Sequence, residues 1–93
     1  MTFVLGVNDR ANLEQICHAS TQYGAPVAAL AEKTAMEWID IHVLARMGLV
    51  ELRMMGGAVF TAAQVPSSGQ FADRDTRSVR ITDEGHEYLE AAR

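Results

Sequence analysis

A chain of 93 residues, 48% hydrophobic and 22% charged, has the composition of a small water-soluble globular domain with one modest core. A formal net charge of −4 argues against a surface built mainly to neutralise phosphate, and a single cysteine, Cys17, excludes an internal disulfide framework. No apolar run approaches the roughly 20 residues that span a bilayer, and the opening Met1-Thr2-Phe3-Val4-Leu5-Gly6-Val7 lacks the positive flank of a secretory leader, so the expectation is one cytoplasmic domain over residues 1–93 with no membrane partner.

Phe3-Val4-Leu5 reads as a short strand or a packed arm. Asn8 or Asp9 can cap a first helix, and Leu13, Ile16, Cys17 and Ser20 recur along one of its faces until Gly24 stops it. Pro26 suits the first turn of a second helix running to about Glu32, with Val27, Leu30 and Ala31 inward. Thr34 is placed to cap a third helix over residues 35–47, closed by Gly48. The period then changes to that of a strand, with Val50, Leu52 and Met54 alternating with Glu51 and Arg53. Gly56-Gly57 reads as a hairpin turn, because glycine tolerates the positive φ of tight hairpins, and Ala58-Val59-Phe60-Thr61-Ala62 as its return strand. Pro66-Ser67-Ser68-Gly69-Gln70 is an irregular loop. Ser78-Val79-Arg80-Ile81 alternates again as a third strand. Thr82 then caps a last helix with Gly85, Tyr88, Leu89 and Ala92 on one face.

This order predicts an α+β winged helix-turn-helix: three helices, a three-stranded antiparallel wing and a C-terminal helix. Three motifs sharpen it. Gly48-Leu49-Val50 closes a helix, Asp73-Arg74 with Arg77 occupies a loop tip, and Ile81-Thr82-Asp83-Glu84-Gly85 opens the last helix. In this order and spacing, over roughly residues 26–89, they resemble the MarR-like transcriptional regulators, with Ile81 where that family carries leucine. The resemblance implies a transcriptional regulator that binds duplex DNA and acts as a dimer. It also assigns Arg74 and Arg77 the wing role of entering the minor groove or gripping phosphate. The chain resembles a shortened version. The interval from Ala31 to Gly48 is about one helical turn shorter than in the family. Little chain flanks the winged core, so a dimer would use the first or last helix, the third helix or an exposed strand.

The third helix is unusual for a DNA reader. Wound at about 100° per residue, Met36, Ile39, Val43 and Met47 form one apolar face with Leu44 at its edge, and Trp38, Ile41 and Ala45 form a second, nearly opposite. Glu37 with Asp40, and His42 with Arg46, make two thin polar seams. A recognition helix offers donors and acceptors to the major groove, and carboxylates face phosphate unfavourably. Two readings follow. Either the domain encloses this helix with Trp38 in its core, or Trp38, Ile41 and Ala45 form a homodimer or partner interface, where tryptophan is enriched. DNA contacts would then fall to Lys33, Thr34, Arg46, Arg74 and Arg77. Residues 82–93 hold Asp83, Glu84, Glu87 and Glu90 against Arg93, so the positive excess lies around the wing.

Other chemistry finds little purchase. His18, His42 and His86 are scattered, and Cys17 and His18 point about 100° apart on a helix, so neither a metal nor a cofactor is expected. Cys17 reads as a buried inert thiol. Asp83, Glu84, His86 and Glu87 sit where a helix dipole favours carboxylates, which explains them without acid–base catalysis. Gly56-Gly57 lacks the surroundings of a phosphate loop. The expectation is therefore not an enzyme but a small DNA-associated regulator that binds duplex DNA through wing arginines and phosphate contacts. The alternative is a winged-helix protein–protein interaction module, a regulator or inhibitor of a larger complex of the kind phages make, that does not bind DNA.

Overall fold

A computed structural model describes residues 6–20, 24–54, 57–72 and 74–91. Within them the chain is an α+β fold of four helices and a three-stranded antiparallel sheet. The Phe3-Val4-Leu5 segment, Gly56, Asp73 and Ala92 lie outside the described residues.

Helix α1, Val7–Ala19, begins at Gly6 rather than at a cap on Asn8 or Asp9, and Leu13 and Ile16 are fully buried beneath it. Gly24 then turns the chain into β1, Ala25–Pro26, at φ 96°; a Cβ there would lie 2.9 Å from the Val79 carbonyl oxygen. Helix α2, Val27–Lys33, follows at once. Thr34 ends it instead of starting the next helix, because its hydroxyl donates to the Leu30 carbonyl at 2.9 Å and accepts from the Met36 amide at 3.2 Å.

Helix α3 is Trp38–Arg46, starting three residues later than Ala35. The true cap is Glu37. Its side chain accepts from the first-turn backbone, while its own amide donates to Asp40 Oδ2 at 2.8 Å. This reciprocal pair satisfies donors that a helix start leaves open. At the other end Gly48, at φ 77°, lets the Leu49 amide reach back to the Leu44 carbonyl at 3.1 Å. That closure aims the chain into β2, Val50–Arg53.

The sheet runs in the order β1-β3-β2, with β3 at Ser78–Ile81, Leu52 opposite Val79 on one side and Ala25 opposite Val79 on the other. Val50, Leu52, Val79 and Ile81 are buried against the helices, while Arg80 points to solvent. The sheet is not assembled from the three segments expected. The segment after the hairpin makes one bridge, Arg53 to Val59, with the Met54 amide on Ala58 O and the Phe60 amide on Leu52 O, and then leaves. Thr61 and Gln64 cap a 3₁₀ turn, Ala62–Gln64, and the chain after it buries Val65 and Phe71. Burying those two side chains outweighs extending a strand through Ala62 and Ala63. β1 takes the third place in the sheet.

Helix α4, Asp83–Ala91, is capped by Thr82 as expected. The Thr82 hydroxyl accepts from the Gly85 amide at 3.1 Å and donates to the Gly48 carbonyl at 2.6 Å, so one side chain joins the α4 start to the α3 end.

Candidate functional site

The loop that carries the expected wing arginines is bound to the start of α3. The Arg77 guanidinium lies 4.3 Å from the Trp38 ring centroid. Its Nε donates to Asp75 Oδ1 at 2.9 Å and its terminal nitrogen to Asp75 Oδ2 at 2.7 Å. Phe71 meets Trp38 edge-on, with centroids 4.9 Å apart, and the Trp38 amide donates to the Gly69 carbonyl at 3.1 Å. Planar, delocalised arginine suits this work, since it stacks on an aromatic face and forks onto a carboxylate together. Arg77 is therefore a fastener of a strap, residues 69–72 and 74–77, over Trp38, with its side chain only 28% exposed and that of Asp75 5% exposed. Arg74 is exposed and makes no ion pair among the described residues.

The fastener carries a pH dependence. Hydrogen bonds from the Arg77 side chain hold the Asp75 carboxyl below the usual aspartate range against the burial that raises it, and the same bonds hold Arg77 protonated. A carboxyl with a depressed folded pKa stabilises the fold above its unfolded value and loses that contribution as pH falls through the folded one. Asp75→Asn is expected to cost on the order of 1–2 kcal/mol at neutral pH, with the gap to the unmodified chain closing below about pH 4. Urea denaturation at roughly pH 7 and pH 3 measures it, and a gap independent of pH would contradict the ion pair.

On α3 the Trp38 face is enclosed, the first of the two readings, and the other apolar face is divided, with Met36 and Leu44 buried and Ile39 and Met47 exposed. Trp38 and Ile41, at 4% and 0% exposure, face the protein's own core, and Ala45 packs partly buried against it. Trp38, Ile41 and Ala45 thus fill the interior instead of forming an outer partner or dimer surface, because Gly69, Phe71 and Arg77 of the strap close over the tryptophan. The outward side carries Ile39 at 43% and Met47 at 37% exposure, half-buried Val43, and exposed Arg46. His42 is held at its edge, with Nδ1 2.8 Å from the Val65 carbonyl. Helical periodicity separates the two faces; the choice between them depends on Phe71 and Arg77, which are remote in sequence.

The other expected contact residues do not gather at the start of α3. Lys33 and Thr34 belong to the end of α2, beside a shallow groove that Gln15, His18 and Leu30 also line. Lys33 is exposed, while the Thr34 hydroxyl is engaged by Leu30 and Met36. Arg74 rims a separate shallow groove with Met54, Phe60 and Ala72. Among the described residues no group of three or more His, Cys, Asp or Glu side chains is placed to hold a metal ion. No described helix is long and apolar enough to cross a membrane. Compared with protein-family models, curated proteins and solved structures, the chain matches none.

Proposed function

We propose that this chain is a small winged-helix-like protein-interaction module whose α3 meets another protein surface instead of reading a DNA groove. The winged-helix reading is supported by the order α1-β1-α2-α3-β2-β3-α4 with sheet order β1-β3-β2. The observation that carries the functional reading is the outward side of α3, where Ile39 and Met47 stand 43% and 37% exposed. A groove reader places donors and acceptors there. The start of α3 supports the same reading. A helix N-terminus attracts phosphate, but here the carboxylates of Glu37 and Asp40 already occupy it and would repel a second anion. Arg77, one of two wing arginines, is engaged by Asp75 and Trp38.

A second reading, the DNA-associated regulator that the MarR-like resemblance implies, is favoured by exposed Lys33, Arg46, Arg74 and Arg80. Fluorescence anisotropy of a random duplex at ~50 and ~200 mM salt separates the two, because phosphate contacts weaken steeply over that range. No binding at the lower salt is the expected result. Micromolar binding that collapses at the higher salt, and is lost in Arg46→Glu/Arg74→Glu, would decide for DNA.

A further inference from the structure

We infer that the strap, with the loop before it, is a lid: residues 66–72 and 74–76 open away from Trp38 as one unit while the helices and the sheet stay folded. The inference concerns the cover over Trp38 and holds whichever partner α3 meets.

Both ends of this segment are held independently of it. Before it, Val65 is 3% exposed and its carbonyl lies 2.8 Å from His42 Nδ1. After it, the Arg77 carbonyl accepts from the Val27 amide at 3.0 Å, and Ser78 enters β3. Between these anchors residues 67–70, Ala72, Arg74 and Thr76 are exposed, and Phe71 is the one buried residue among those described. Three ties run to a single residue. The Trp38 amide donates to the Gly69 carbonyl, its ring edge meets Phe71, and its ring face carries the Arg77 guanidinium. Contacts that share one anchor are lost together, so the segment opens in one step. Asp75 orients the latch, because its carboxylate forks onto the guanidinium, and its amide donates to the Ala72 carbonyl at 3.0 Å within the lid. Once the lid is open the Asp75–Arg77 pair is exposed and contributes little. Opening uncovers far less apolar surface than global unfolding and so costs less. It adds Trp38 and Phe71 to the surface beside Ile39, which is already 43% exposed. The lid thus sets how much apolar surface the start of α3 presents.

Native-state hydrogen exchange at one pH, with urea added below the unfolding range, tests the lid. The Trp38 amide is a selective probe, because the first turn of a helix offers it no partner and its acceptor, Gly69, belongs to the lid. The Leu44 amide, inside the same helix at a fully buried residue, reports global unfolding. Trp38 is expected to exchange faster than Leu44 and with a smaller urea slope, since less surface is uncovered. Asp75→Asn should speed Trp38 exchange about ten-fold. Ile81→Val weakens the core away from the lid. It should speed Leu44 several-fold and leave Trp38 unchanged, because the closed and open states lose the same packing. Equal rates and urea slopes at Trp38 and Leu44, or equal acceleration of both by Ile81→Val, would overturn the lid. A fast Trp38 amide that ignores Asp75→Asn reports fraying of the α3 start and overturns it as well.

Discussion

Gly85→Ala is expected to cost about 3 kcal/mol or to prevent folding. A Cβ at this position would lie 2.3 Å from the Leu49 carbonyl oxygen and 2.6 Å from Ile81 Cγ1. Ile81 is buried in the sheet, and the Leu49 carbonyl is fixed because it accepts from the Thr82 amide at 3.0 Å. Relief therefore requires α4 to move away, which breaks the Thr82 bridge to Gly48 and uncovers Leu89. This close approach gives a physical reason for a glycine three residues after the capping threonine. Gly57→Ala is the control. Its φ is 98°, but among the described residues nothing beyond its chain neighbours lies within 4 Å of the added carbon, so only backbone strain of about 1 kcal/mol is expected. Urea midpoints of the two variants measure the difference. Equal, small losses would contradict the packing of α4 on the Gly48–Leu49 corner.

Trp38→Ala is the second large effect, with an expected loss of about 3–5 kcal/mol. The ring is 4% exposed, Phe71 meets its edge and the Arg77 guanidinium covers it. Truncation leaves a cavity where the strap is anchored and removes the surface on which Arg77 stacks. Trp38→Phe retains an aromatic face and should lose much less. Thermal melts followed by circular dichroism compare the pair. A Trp38→Ala variant as stable as the unmodified chain would return this residue to the surface and reverse the orientation of α3.

The sequence made legible the elements that punctuate themselves locally. Gly48 ending a helix, the alternation of Val50 and Leu52, the Ser78–Ile81 strand and the Thr82 cap each depend on neighbours within a few residues. One local signal was hidden as well: Glu37 and Asp40 read as a polar seam and act as a capping box, with glutamate an uncommon cap residue. Long-range choices were hidden throughout. Ala58 to Ala62 looked like a strand and leaves the sheet, because Val65 and Phe71 must reach the core. Two residues, Ala25 and Pro26, are too few for a readable period, yet they complete the sheet. The candidate site was half legible. Periodicity separated the apolar residues of α3, but which of them face outward is set by Phe71, Asp75 and Arg77, 33 to 39 residues beyond Trp38.

Backbone amide NMR of the whole chain tests the central claim most directly, since it reports on each residue of α3. Adding duplex DNA at ~50 mM salt, where phosphate contacts are strong, should leave the amides of Ile39, Val43, Arg46 and Met47 in place. Shifts of these α3 amides with duplex would contradict a helix turned to protein contact.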